Sequence, residues 1–202
     1  MIIGISAGQG QGKSTLIDLA CKHDKVEKLN LQTSREILAE WGYTLDEVNR
    51  YLPLKKQFQE ECLRKHTRAL NEAYGTGFGY PTHDDDTVLL VERTFSDIYA
   101  YTVLGMGAFN EYSEWLEDYG RRCAEAQKTY FSKVVFLSGR DYSPEDDGVR
   151  SINREFSDVA NYLIQRYTDQ FSDVIHIDVP DLDLREEMMG DIINVVRRDE
   201  AA

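Results

Sequence analysis

Ala7-Gly8-Gln9-Gly10-Gln11-Gly12-Lys13-Ser14-Thr15 is the stretch on which the reading of this chain turns. It follows the apolar run Met1-Ile2-Ile3-Gly4-Ile5-Ser6 and leads straight into Leu16-Ile17, so the order is strand, glycine-rich turn, helix. Glycines let the backbone fold tightly with its N–H groups turned to one point. The positive end of the following helix adds to that field. Such a point holds phosphate.

In this context the stretch is a Walker A loop. Lys13 is placed to reach the β- and γ-phosphates of a nucleotide, Ser14 to ligate Mg²⁺, and residues 7 to 15 to cradle the phosphate chain. One position departs from the usual statement of the motif. Its first residue is Ala7 rather than glycine, a small change beside Gly8, Gly10 and Gly12.

Working outward, β-rich runs at 1–6, 26–31, 87–92, 133–137 and 174–179 alternate with helical patterns at 13–21, 34–41, 54–74, 95–106, 110–126, 154–167 and 184–196. That alternation predicts an α/β fold with a parallel sheet covered on both faces. The first, third and fourth runs are almost continuously aliphatic, as central parallel strands require. In the last two helices the apolar stripes Phe156, Val159, Ala160, Leu163, Ile164, Tyr167 and Leu184, Met188, Ile192, Ile193, Val196 predict plain core packing. Tyr99, Tyr101 and Trp115 are read the same way.

The 202 residues suit one domain, 1–202. No run of about 18 apolar residues exists, which predicts no membrane span, and no signal peptide is expected. The expected location is the cytoplasm. Cys21, Cys62 and Cys123 are odd in number and lack CxxC spacing, so neither a disulfide framework nor a zinc site is expected. The four histidines are equally scattered. A net charge of −13 opposes nonspecific attraction to nucleic acid or anionic lipid. Lys55, Lys56, Arg64, Lys65 and Arg68 on one helix form the best basic patch, and Asp84-Asp85-Asp86 reads as a solvated turn within an exposed connection.

Chemistry beyond nucleotide binding needs an acid near Mg²⁺ and cations for the transferring phosphoryl. Val88-Leu89-Leu90-Val91 ends in Glu92-Arg93, a charged pair at the carboxyl edge of a buried strand, where ligands bind in this fold class. Asp97 follows one helical turn after Arg93, within reach of the same crevice.

On these residues the chain resembles the small P-loop kinases that include thymidylate kinases, deoxynucleoside kinases and ribosylnicotinamide-type kinases. Glu92-Arg93-Thr94 is similar to their Asp-Arg or Glu-Arg-Ser element, and Ser34-Arg35-Glu36-Ile37-Leu38 to an arginine-bearing helix start. The resemblance implies a three-layer P-loop NTPase fold with strand order 2-3-1-4-5, and ATP with Mg²⁺ as cofactors. It implies Lys13, Glu92, Arg93, Asp97 and Arg150 as catalytic residues. Ser14 and Glu92 would serve the metal, and Arg35, Arg93 and Arg154 the acceptor. Where a glutamate often stands in that group this chain has Gln32, which shifts the acid role to Glu92 with Asp97 in reserve. Residues 139–154, with Asp-Gly-Val-Arg ending at Arg150, look like a lid closing over ATP.

The expected activity is therefore ATP-dependent phosphoryl transfer to a nucleoside, nucleotide or nucleotide-like hydroxyl. Kinases of this kind are frequent in bacteriophages, which keeps open a DNA kinase acting on a hydroxymethylated pyrimidine such as 5-hydroxymethyluracil, in a host cytoplasm. A non-kinase P-loop ATPase is the third reading. The acceptor is a nucleotide-like small molecule or modified DNA, no membrane partner is expected, and a homodimer is compatible with the sequence.

Overall fold

The computed structural model describes residues 1–74, 86–139 and 154–200. Arg150, Asp84 and Asp85, and nearly all of the expected lid lie outside them.

The strands are β1 (Ile2–Ser6), β2 (Val26–Leu29), β3 (Val88–Glu92), β4 (Lys133–Ser138) and β5 (Val174–Asp178). They form one parallel sheet in the order β2-β3-β1-β4-β5. This is the expected order, and the three strands with continuous aliphatic runs occupy its centre. Parallel strands place alternate side chains on opposite faces, so each central strand must supply two cores. Ile3, Ile5, Val88, Leu90, Val135 and Leu137 go to one face. Ile2, Leu89, Val91 and Val134 go to the other.

The first face is covered by α1 (Lys13–Ala20) and α8 (Leu182–Glu200), through Leu16, Ile17, Met189, Ile192, Ile193 and Val196. The second carries α2 (Ser34–Trp41), α3 (Leu45–Arg50), α4 (Leu52–Ala73), α5 (Phe95–Met106) and α6 (Ser113–Tyr130), with Phe58, Leu70, Phe95, Ile98 and Tyr119 at its centre. The last element, α7 (Arg154–Phe171), packs on α5 beside β1 and β4. The short α3 was absent from the sequence reading. Its signal is there: Thr44 and Glu47 form a reciprocal capping box, which satisfies two of the helix's open N–H groups.

The two stripes assigned to core packing do pack through most of their residues, and each is corrected at the start of its helix. On α7, Phe156 and Val159 are exposed, while Ser157, Ala160, Ile164 and Thr168 are buried. On α8, Leu184 is exposed and its neighbour Arg185 is wholly buried. Both helices turn a partly polar strip inward because what they meet there is the polar end of the sheet. Tyr99 and Trp115 do pack. Tyr99 lies 4.6 Å from the Tyr167 ring, and Trp115 donates its indole N–H to Glu60 at 2.7 Å.

His66 on α4 is buried under Phe95, with Nδ1 3.0 Å from the Cys62 carbonyl. Burial, reinforced by the nearby Arg93 cation, pushes its pKa down to about 4, against the smaller opposing effects of Cys62 and Asp97. The unfolded chain therefore binds a proton at this residue from about pH 6.5 downward while the native state does not until about pH 4. Stability falls as pH drops across that window, by about 3 kcal/mol in total, and levels off below it. Urea denaturation of His66→Gln should show a shallower loss between those limits than the wild type. Parallel pH profiles would refute the assignment.

Candidate functional site

Strand β1 ends at Ser6, and the chain turns at Ala7 and Gly8 toward α1. Gly10 and Gly12 adopt φ of 73° and 83°, the left-handed region where a side chain strains the backbone. Gly12 caps α1 without any side-chain hydrogen bond, and no acidic residue lies in the helix's first turn. Helices α2, α3 and α5 differ, since Thr33, Thr44 and Thr94 each close a capping box. The N–H groups at the start of α1 thus stay open to an anion.

Lys13 folds back over the loop, its ammonium donating to the carbonyls of Ala7 at 2.9 Å and Gly8 at 2.8 Å. Beside it the Ser14 hydroxyl donates to both carboxylate oxygens of Glu92, each at 3.0 Å. The spacing in sequence is 78 residues. What joins them is the parallel pairing of β1 with β3, which sets Ile5 opposite Glu92. Lys28 on β2 approaches the same carboxylate at 4.0 Å and Asp18 at 3.6 Å. Sequence reasoning missed Lys28, whose only signal was its place at the carboxyl end of a strand. Ser14 and Glu92 offer two hard oxygen donors at a phosphate loop, a set that fits Mg²⁺ completed by phosphate oxygens and water.

Arg93 follows at φ 77°, one of two described residues other than glycine with positive φ. Its N–H donates to the Ile5 carbonyl at 3.0 Å, which fixes the turn. Its guanidinium lies 5.6 Å from the centre of the Tyr101 ring, and the residue is exposed. A left-handed residue with a Cβ costs about 1 kcal/mol or more, and such strain clusters at functional sites.

Asp97 sits differently from the crevice role expected of it. It is 1% exposed, and Oδ2 accepts from the Ser6 hydroxyl at 2.7 Å, the Thr94 N–H at 3.0 Å and the Thr94 hydroxyl at 2.9 Å. These bonds cap α5 and tie it to the end of β1. Ser96, Thr168 and Gln127 extend the buried network, with Ser96 and Thr168 2.8 Å apart. An acid so enclosed acts as a structural anchor.

Arg35 is exposed on the first turn of α2, and Gln32 donates to Glu40 at 2.5 Å. Arg154 is exposed at the start of α7. Among the described residues the structure brings Ser14 onto Glu92 beside Lys13, with Arg93 next in the chain, and it shows no contact of Arg35 or Arg154 with them. The residue most plainly missed is Arg185. Fully buried on α8, it donates to the carbonyls of Gln11 in the loop, Ser138 at the end of β4 and Val179 after β5. It stood in the sequence within an apolar helix pattern, where an arginine reads as a solvated charge.

No protein-family model matches the chain, and no curated protein resembles it closely enough in sequence to count as a match. Solved structures do match in fold. Deoxyadenosine kinase from M. mycoides with bound dATP superposes with a TM-score of 0.67 at 17% identity, over 96% of this chain and all (100%) of that one. The same enzyme with the products dCMP and a flexible dCDP gives 0.65 at 14%, with the same coverage. A NadR protein in complex with NR gives 0.57 at 10%, over 88% of this chain and 43% of that one. At these identities the likeness is one of fold, and that fold is the P-loop α/β architecture expected from the sequence.

The strain at Arg93 is measurable. Arg93→Gly should be more stable than Arg93→Ala by about 1 kcal/mol in urea denaturation, because glycine takes the left-handed turn freely. Equal stabilities would show that the turn stores no strain.

Proposed function

We propose that this chain is an ATP-dependent phosphotransferase acting on a nucleoside, nucleotide or nucleotide-like hydroxyl. The observation that carries the reading is the contact between Ser14 and Glu92, a carboxylate from the neighbouring strand on the serine of a phosphate loop. A bare phosphate-binding loop needs no such partner, whereas Mg²⁺-assisted cleavage of the terminal phosphate, by transfer or by hydrolysis, uses one. The shared fold with a deoxyadenosine kinase supports the same class of reaction.

In this reading Lys13 leaves the Ala7 and Gly8 carbonyls for the β/γ-phosphate oxygens, and the uncapped start of α1 holds the rest of the phosphate chain. Ser14 and Glu92 would hold Mg²⁺ bound with the nucleotide, and the ion would supply charge neutralisation at the phosphates. Arg93 stands next to Glu92 on the exposed rim, placed to meet acceptor or phosphoryl oxygens. Because Glu92 is engaged with Ser14, acceptor activation rests chiefly on orientation. That suffices for a loose transition state in which little bond-making precedes leaving-group departure. Arg35 and Arg154 extend the acceptor side, and Arg150 belongs to the proposed lid.

A small acceptor is favoured over DNA by the state of the basic helix. Arg64 pairs with Glu61 at 2.6 Å, Arg68 with Glu72 at 2.7 Å, and Lys65 with Glu40. Paired cations offer little charge to a phosphate backbone. Among the described residues no helix is long and apolar enough to cross a membrane.

The test is transfer of radiolabelled γ-phosphate across nucleosides, nucleoside monophosphates, and DNA with and without hydroxymethylated pyrimidine. Label in a small molecule supports the proposal. Label in hydroxymethylated DNA would make the chain a DNA kinase, and phosphate released with every acceptor unlabelled would make it an ATPase. Lys13→Ala should lower the transfer rate by about 10² or more, as loss of one transition-state donor does. Glu92→Gln should raise the Mg²⁺ concentration needed for half-maximal rate, and an unchanged Mg²⁺ dependence would remove Glu92 from the metal.

A further inference from the structure

Arg185 is out of keeping with its helix. The other inward residues of α8, Met189, Ile192, Ile193 and Val196, are apolar and cover the sheet, whereas this guanidinium is wholly buried among polar backbone. A buried charge is costly unless hydrogen bonds satisfy it. Here Nε donates to the Val179 carbonyl, Nη1 to that of Gln11 and Nη2 to that of Ser138. The three segments follow the sheet, since β1, β4 and β5 are adjacent. Two of the carbonyls lie at strand ends, Ser138 closing β4 and Val179 following β5. The third lies well past the end of β1, inside the phosphate loop, at Gln11 between Gly10 and Gly12.

That carbonyl belongs to the peptide unit joining Gln11 to Gly12. The unit is planar and trans, so its C=O and N–H point to opposite sides. With the oxygen drawn toward α8, the Gly12 N–H faces away from α8. The next peptide is fixed as well, because the Gly12 carbonyl accepts from the Leu16 N–H at 3.0 Å in the first turn of α1. Gly12 has φ 83°, and glycine takes either sign of φ at little cost, so its own preferences do not keep the preceding peptide from turning over. Arg185 supplies that hold from outside the loop. Backbone N–H groups of such a loop cradle a phosphate chain, and Gly12 is the cap of α1, where the helix field adds to them.

We propose that Arg185 is a positioning residue for nucleotide binding: by holding the Gln11 carbonyl behind the loop it turns the Gly12 N–H onto a phosphate oxygen. A side chain that never touches the nucleotide thereby sets its affinity. The proposal rests on the nucleotide-binding part of the reading above and is independent of the acceptor.

The wild type is titrated with Mg·ADP, followed by calorimetry and by the amide resonances of isotope-labelled protein. Its Gly12 N–H should move downfield on binding, as a donor to a charged oxygen does, and an unmoved Gly12 overturns the proposal. Arg185→Met, close in length and without donors, should lose roughly tenfold in Mg·ADP affinity, the worth of one hydrogen bond to a charged group. Its bound state should also lack the Gly12 displacement. Affinity is read at a temperature where circular dichroism shows the variant fully folded. Wild-type affinity there, with only a lowered melting temperature, would mark Arg185 as structural and overturn the proposal. A lowered affinity with the Gly12 displacement kept would overturn it too, since the cation would then act by charge alone. Should Arg185→Met not fold, Arg185→Lys is read by the same two measurements. It keeps the charge and loses the fork, so affinity should fall here also, and wild-type affinity overturns the proposal. Failure of the kinase reading shows separately, as wild-type protein that binds Mg·ADP yet labels no acceptor, whereas a wild type that binds no nucleotide removes both.

Discussion

A central parallel strand must stop, and the polar groups at its carboxyl end must go somewhere. Strand β1 lies between β3 and β4, so its end opens into the middle of the sheet's edge with no room for ordinary solvated loops. The chain meets that constraint in two ways. Ser6 passes its hydroxyl to the buried Asp97, and the backbone beyond it curls into a loop whose N–H groups face outward with the uncapped start of α1. Everything at the site is arranged around that curl. Glu92 arrives because β3 pairs in register with β1, Arg93 turns sharply because its N–H must reach Ile5, and α7 lays its polar strip alongside.

The charges divide in a way that suits this arrangement. Surface arginines of α4 and α6 are matched to carboxylates within one helical turn or across the groove, as Arg122 is to Glu60 at 2.6 Å. Such exposed pairs contribute little to stability, and beside the loop Lys28 is likewise shared between Asp18 and Glu92.

Much of this could be read from residues alone, and the reasons differ by element. The loop was legible because glycine spacing and a lysine have a local physical meaning. The strand order followed from resemblance and the aliphatic runs. Glu92 and Arg93 were found because strand ends in such sheets point at ligands. Asp97 was read as a crevice acid because helical spacing gives proximity and cannot tell a cap from a catalyst, whereas its burial and three donors make it a cap. The first turns of α7 and α8 were misjudged for one shared cause. Apolar periodicity assumes that a helix covers apolar surface along its whole length, yet near their starts these two meet carbonyls and a glycine turn, so Ser157 and Arg185 go in while Phe156, Val159 and Leu184 stay out.

Arg185 carries a consequence for the order in which the protein comes into being. The phosphate loop occupies residues 7–15, but the cation that clasps the Gln11 carbonyl lies 174 residues further along the chain, and it holds the end of β4 and the turn after β5 in the same grip. During synthesis the loop therefore precedes by far the side chain that braces it. The loop gains this brace only once α8 has docked.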